Sequence, residues 1–384
     1  DIASMQRGGS SADVWVVTPP EQAVDTTTLL APHHSPATLA HSKRIVTSRA
    51  AENLFWLGRY TERAENSLRL SRLTLDCLNG DRRSSVPLLT WLGQMASNNV
   101  LVQSEVPMPA QRRRVFERSL VASLANTAIS GSVGYNLNCI KQSAFAVRER
   151  LSEEHWKVIV HAQEEFFRRC AEYQSEGNYQ TLDALRVLET TSGYLAAITG
   201  AQTDRMTRDD GWRLLSIGRH IERLGFLAAS LELGFSTGSV HDASGFEAMI
   251  ALFDSTITFH AQYQQSHDVV ALLDLLVMDR DNPRSLGWVA QTLRGRLARL
   301  AGSAPGELAA LSLNVPNPDL WDLEDLCRTE MEHAPEQDPT TEQTPSTPLL
   351  QLLEQCTQSA YTVSDDISAV YFTHSGEAKQ SLGV

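Results

Sequence analysis

Two segments place arginine and glutamate where they could hold an anion, or each other. Leu54-Phe55-Trp56-Leu57-Gly58-Arg59-Tyr60-Thr61-Glu62-Arg63 recurs as Leu214-Leu215-Ser216-Ile217-Gly218-Arg219-His220-Ile221-Glu222-Arg223, sharing Leu-x-x-[Leu/Ile]-Gly-Arg-x-x-Glu-Arg. On a helix, Arg59 and Glu62 are i,i+3 neighbours and Arg59 and Arg63 are one turn apart. Leu54, Leu57, Ala64 and Leu68 fall on one side, while Glu52, Trp56, Arg59, Arg63 and Asn66 share a roughly opposite direction. A glycine inside a helix costs roughly 1 kcal/mol against alanine. Its return at Gly58 and Gly218 therefore points to close approach of another helix or of a ligand.

Two chemistries fit. In one, the helices cross at the glycines and the charged side chains pair reciprocally, a buried network that fixes geometry without adding much stability. In the other, Arg59, Arg63, Arg219 and Arg223 form a carboxylate or phosphate site, with Glu62 and Glu222 holding the guanidinium forks. Arg59→Ala distinguishes them. The first predicts a loss of roughly 3–5 kcal/mol from an unpaired buried carboxylate; the second predicts stability unchanged or raised.

A further polar cluster, Asp279-Arg280-Asp281-Asn282-Pro283-Arg284-Ser285, stands at a helix start. Asp279, Asn282 and Arg284 could bind an anion or polar substrate there, or form a capping loop whose charges neutralise one another. Asn282-Pro283 reads as N-cap followed by the first helical position. Other constellations carry less. Gly234-Phe235-Ser236-Thr237-Gly238 spells GxSxG but ends a helix, whereas a nucleophile elbow needs a strand before it. His33-His34, His155/His161 and His260/His267 read as ordinary histidines more readily than as metal ligands. The run Arg112-Arg113-Arg114 reads as a solvated helix face or a dock for an acidic surface.

These residues need helices to position them, and the pattern supplies them. Apolar residues at i, i+3, i+4 and i+7 predict helices over 47–79, 87–104, 110–127, 130–151, 152–174, 178–202, 208–236, 244–264, 267–279, 284–302, 319–332 and 346–373. The fold class is mainly all-α, a bundle of about ten to twelve helices. Ser152 with Glu153 and Glu154 opens one of them, acids in the first turn. Residues 1–17 read instead as two short strands around Arg7-Gly8-Gly9-Ser10-Ser11, the end of a larger β-containing domain. Residues 18–45 read as a linker, 46–384 as the helical domain, and 333–348 as a mobile loop within it.

Composition bounds the function. The 384 residues carry 33 Lys+Arg against 46 Asp+Glu, a net charge of −13 that argues against nucleic acid and anionic membranes as partners. No apolar run approaches the roughly 18 residues a membrane span needs. Five dispersed cysteines, Cys77, Cys139, Cys170, Cys327 and Cys356, read as reduced thiols of a cytoplasmic protein.

The paired Gly-Arg-x-x-Glu-Arg helices, preceded by Ser48-Arg49-Ala50-Ala51-Glu52-Asn53, resemble the bacterial alpha-E domain family, named for its Glu-Arg motif. Ala146–Ser152, Arg208–Trp212, Leu276–Ser285 and Ile367–Phe372 match as well, so the resemblance spans roughly 47–373. Separately, Ser4-Met5-Gln6-Arg7-Gly8-Gly9-Ser10-Ser11-Ala12-Asp13-Val14-Trp15-Val16 resembles the carboxy-terminal edge of a circularly permuted ATP-grasp domain. That resemblance implies a parent system joining a carboxylate to an amine through an acyl-phosphate, with ATP and magnesium. Gln6, Arg7, Gly8 and Gly9 would be the remnant of that site. The resemblance further implies an ATP-grasp partner upstream or in trans, and a transglutaminase-like protein as a possible second one. The role expected of the helices is accessory: binding or positioning a substrate or partner for amide-bond formation. A purely structural docking module is the alternative, and a helical enzyme with Glu62 and Glu222 as acid and base a third. The chain itself is expected to need no cofactor and to bind Mg-ATP no better than millimolar, because it has no P-loop and too few residues for a nucleotide cleft.

Overall fold

The computed structural model describes residues 46–79, 84–175, 181–263, 267–304, 306–328 and 347–372. Fourteen α-helices account for nearly all of their regular structure. The first seven are α1 (Ser48–Asn79), α2 (Val86–Asn98), α3 (Pro109–Ser123), α4 (Val133–Ala146), α5 (Glu153–Ser175), α6 (Thr181–Asp204) and α7 (Asp210–Ser236). The rest are α8 (Ala243–Leu252), α9 (Thr256–Tyr263), α10 (Val269–Leu273), α11 (Leu286–Leu300), α12 (Ala310–Leu313), α13 (Leu323–Cys327) and α14 (Thr347–Tyr371). The all-α class is as the periodicity predicts. The β-strand pair expected over 1–17, the linker over 18–45 and most of the loop over 333–348 lie outside the described residues; Thr347 and Pro348 belong to α14.

The two repeat-bearing helices form the axis of the bundle. α1 packs along α7; α4 and α6 flank α1, while α11 and α14 flank α7. Leu54, Leu57, Ala64 and Leu68, the apolar side expected of α1, are all buried. Burying a leucine of this kind contributes about 1.5–3 kcal/mol, so the α1 stripe alone commits the helix to the core. α7 starts where the Asp209 carboxylate accepts the Trp212 N–H at 3.0 Å, and it stops at Gly238, whose φ of 70° only glycine adopts without strain. The GxSxG segment is thus a helix end, as read from its setting.

Several boundaries differ from expectation for local reasons. The segment 244–264 is two helices, because Asp254 takes a left-handed φ of 52° that aspartate tolerates and a helix interior does not. The segment 267–279 is one turn of α10 followed by a π-helical turn over Asp274–Met278. The N-cap of α11 is Ser285, whose hydroxyl accepts the Trp288 N–H at 3.0 Å, and not Asn282. Asn282 is spent earlier, its carboxamide oxygen accepting the Arg284 N–H and its nitrogen donating to the Leu275 carbonyl. The 319–332 segment is α-helical only over the five residues of α13, among those described, with a 3-10 turn over Pro318–Leu320 before it. Arg113 is not on a solvated face: it donates to the Leu78 and Cys77 carbonyls and caps the carboxy-terminal end of α1, where a cation is favoured. Arg112 and Arg114 are exposed.

Candidate functional site

The glycines set the distance between α1 and α7. A Cβ placed on Gly58 would stand 1.9 Å from the Leu215 carbonyl oxygen, and one on Gly218 would stand 2.3 Å from that of Phe55. Backbone meets backbone there, and no side chain fits. The same relation brings the charged residues of the repeat together in a crossed pattern. Glu62 of the first copy takes Arg223 and Arg219 of the second, and Glu222 of the second takes Arg59 and Arg63 of the first. Residue i meets j and the equivalent of j meets the equivalent of i, the logic of a two-fold interface inside one chain.

Around Glu62 the pairing is closed. Its carboxylate is wholly buried and accepts Arg223 Nε at 2.6 Å and Nη2 at 2.7 Å, a side-on fork. Arg219 Nη2 follows at 3.2 Å and Arg284 Nη1 at 3.8 Å. Arg284 also faces Glu65 at 3.7 Å, and Arg223 Nη1 donates to the Pro283 carbonyl at 3.1 Å. Burial alone would raise the Glu62 pKa; the surrounding guanidinia overcome it and hold the carboxyl well below its ordinary range. Burial and the neighbouring Arg223 push Arg284 down to about 10, still protonated at neutral pH.

Around Glu222 the pairing is open. Oε1 accepts both Arg59 Nε at 2.6 Å and Arg63 Nη2 at 2.5 Å, while Oε2 has only Arg63 Nε at 3.4 Å. Arg59 is further fixed by donating to the Ser364 hydroxyl of α14 at 2.6 Å and by lying over the Trp56 ring at 4.8 Å. Arg63 is the loosest guanidinium of the network, its side chain 31% exposed. It borders a cavity of about 420 Å³ whose wall includes Arg59, Arg63, Asn66, Glu222, Gly225 and Phe226.

The break in symmetry traces to one position. Aligning the repeats sets Glu65 opposite Gly225. Glu65 fills its side together with Arg284, whereas Gly225 leaves space beside Glu222, its nearest neighbour across the gap being Ala360 of α14. Both carboxylates are held ionised, Glu222 also below its usual range because Arg63 and Arg59 outweigh its burial. A general acid or base for neutral pH needs a pKa nearer 7, so this arrangement favours charge binding over proton transfer.

Of the other residues expected to bind, Arg284 joins the Glu62 side, while Asp279 accepts the backbone N–H groups of Asp281 and Asn282, forming the loop's own turn. Gln6, Arg7, Gly8 and Gly9 lie outside the described residues. His260 and His267 both reach Glu247, at 3.5 and 3.1 Å. Among the described residues no group of three or more His, Cys, Asp or Glu could hold a metal ion, and no helix is long and apolar enough to cross a membrane. The motif reading missed Glu65, Ser364, Val100 and Gly225. Repeat alignment could have found Glu65 and Gly225; Ser364 and Val100 enter only through tertiary packing.

Comparison with known proteins places the described helices in a family. A family model described as a predicted alpha-helical domain with a conserved ER motif, the alpha-E domain, matches residues 46–372. Both Glu-Arg pairs, Glu62-Arg63 and Glu222-Arg223, fall inside that range. Uncharacterized proteins of Mycobacterium tuberculosis (strain H37Rv) and Mycobacterium bovis are each 30% identical over 316 residues, 77% of this chain and 34% of theirs. The chain therefore spans about a third of the length of these curated relatives. No solved structure matches. The chain belongs to the alpha-E family.

Proposed function

We propose that this alpha-E domain is the ligand-holding accessory module of an ATP-dependent carboxylate–amine ligase system. The observation that carries the reading is the open Glu222 side of the network, where two guanidinia share one carboxylate beside a cavity of about 420 Å³. Its volume lies within the roughly 300–1,000 Å³ of small-molecule sites. The resemblance of Ser4–Val16 to an ATP-grasp edge supplies the ligase half of the proposal, with that domain as partner upstream or in trans. In such a system ATP and Mg²⁺ belong to the ATP-grasp domain. In the described helices Glu62 and Glu222 are already taken by arginines. Docking a transglutaminase-like protein is a separate role that the same scaffold could serve.

The test uses a protein carrying both an ATP-grasp domain and this helical domain, supplied with free amino acids and short peptides. ADP release should need several-fold more substrate for half-saturation in Arg63→Ala, with a smaller change in the ATP requirement. An unchanged substrate requirement would count against a ligand role for this side of the network. For the present chain alone, isothermal titration with Mg-ATP should give no binding better than millimolar; micromolar binding lost in Arg59→Ala would move the nucleotide site into the helices.

A further inference from the structure

We infer that the Glu222 cavity is a receptor for a single carboxylate attached to a small, partly apolar body, such as an N-acylated amino acid or a peptide carboxy terminus. The inference rests on the reading that this cavity is where the domain holds a ligand, and it names the chemistry. Four observations carry it.

The first is spare donors. Among the described residues, Arg63 Nη1 and Arg59 Nη2 have no hydrogen-bond partner, since Arg63 spends Nε and Nη2 on Glu222, and Arg59 spends Nε on Glu222 and Nη1 on Ser364. Asn66, only 7% exposed, borders the same cavity, and its carboxamide makes no hydrogen bond among the described residues. An amide that lines the cavity without a partner in the protein offers a donor and an acceptor to a ligand there.

The second is charge. Among the described residues the ionised side chains of the wall are Arg59, Arg63 and Glu222, two cations and one anion, a formal charge of +1. One carboxylate neutralises that. A phosphate dianion would bring excess negative charge next to the Glu222 carboxylate, and like charges in a partly buried site repel strongly.

The third is the opposite wall. Val100, Ile221, Phe226 and Tyr361 give the cavity an apolar part beside polar side chains such as Asn98 and Asn99, a poor match for a bare inorganic anion and a good one for a carboxylate with a side chain. The fourth is rigidity. Val100 on the rim holds a left-handed φ of 55°, which a β-branched residue adopts only under strain. Gly131 presses against it so closely that a Cβ would stand 1.9 Å from the Asn99 carbonyl oxygen. A strained, tightly packed rim keeps its shape before the ligand arrives, which lowers the ordering cost of binding.

Isothermal titration of the full chain with N-acetyl-leucine, N-acetyl-leucinamide and inorganic phosphate tests this. The acid should bind at least ten-fold tighter than the amide and tighter than phosphate. That preference should disappear in Arg63→Ala and be reduced about three-fold but kept in Arg63→Lys, which retains the charge and loses the fork. Asn66→Leu should weaken the acid without touching the arginines, and melting curves of all three variants check that each is folded. Phosphate binding tighter than the acid, through Arg63, would overturn the carboxylate assignment and leave the cavity as an anion site. Equal affinity for acid and amide would also overturn it, by making the apolar wall the only recognition. Failure of all three probes to bind the folded wild-type chain would sink the assignment and the ligand-holding reading together.

Discussion

The two halves of the arginine–glutamate network have the same sequence motif and opposite physical situations. Glu62 is sealed, with a side-on fork from Arg223 and support from Arg219 and Arg284, and nothing around it faces solvent freely. Glu222 has the equivalent two arginines and then a cavity, because Gly225 stands where the other half has Glu65, and α14 contributes only Ser364 in place of a third guanidinium. A duplicated motif can thus divide its labour: one crossed pairing, Glu62 with Arg219 and Arg223, locks the crossing of α1 and α7, and the locked crossing holds Arg59 and Arg63 of the other pairing in position with donors to spare. Buried ion pairs contribute little net stability compared with apolar packing, but breaking one side of them is expensive. That asymmetry makes the division measurable.

The largest expected effect erases the comparison altogether. Gly58→Leu puts a side chain into the Leu215 carbonyl, and backbone cannot yield as a flexible side chain would. A loss of about 5 kcal/mol or more, or no folded protein, is expected, above the usual range for overpacking. Gly218→Leu should behave alike. Chemical denaturation of either variant near wild-type stability would mean that the helices do not cross at the glycines.

Next come the two carboxylates. Glu62→Ala leaves three partly buried guanidinia short of their main partner and should cost about 3–5 kcal/mol. Glu222→Ala relaxes arginines that can reach the cavity and its water, and should cost about 1–2 kcal/mol. Equal losses in urea titrations would remove the distinction between sealed and open halves. Adding Arg284→Ala to Glu62→Ala should recover part of the first loss, because one unpaired cation is removed.

Acid should act on both halves through groups whose ionisation the fold has shifted. His155 is pushed down to about 4 by burial and by Arg205, and His220 to about 3 by burial and Arg223. Each is neutral when folded, while the unfolded chain takes a proton below about 6.5. The unfolded state therefore binds more protons in that window, and stability falls as pH drops from about 6.5, by roughly 1.4 kcal/mol per pH unit for each histidine. Glu62 and Glu222 are held below the ordinary carboxylate range, so their contribution is complete above about 4.5 and declines below it. Melting temperatures across pH 3–8 should show a decline that begins near 6.5 and steepens below 4.5. His155→Phe should flatten the first part only; an unchanged slope there would mean that His155 titrates normally.

What the sequence made legible follows from what is local. The helices of the repeat, the buried stripe Leu54–Leu57–Ala64–Leu68 and the reciprocal pairing could all be read from spacing, since each depends on helical period and on two copies of one motif. The break after Asp254 and the capping role of Arg113 could not, because each depends on a partner remote in the chain or on a single backbone angle. The cavity was legible only in part. Arg59, Arg63 and Asn66 share a helix face in the sequence, but Val100, Phe226 and Tyr361, which also line the walls, come from distant parts of the chain. Fold class needs only periodicity. A site needs the addresses at which the helices meet.

The smallest expected change in stability is also the one that separates the halves most cleanly. Arg63 and Arg223 occupy equivalent positions of the repeat. Arg223 is 9% exposed and makes the side-on fork with Glu62, so Arg223→Ala should cost about 3–5 kcal/mol by leaving a wholly buried carboxylate with only the longer contacts to Arg219 at 3.2 Å and Arg284 at 3.8 Å. Arg63 is 31% exposed, shares Glu222 with Arg59, and borders open space into which water can move when it is removed. Glu222 keeps Arg59 as a partner at 2.6 Å in either case. Arg63→Ala should therefore lower stability by less than about 1 kcal/mol, the scale of a partly exposed ion pair, while still removing the Arg63 donor left spare at the cavity. A loss as large as that of Arg223→Ala would place Arg63 in the structural lock, and the open half would then be a second lock with a void beside it.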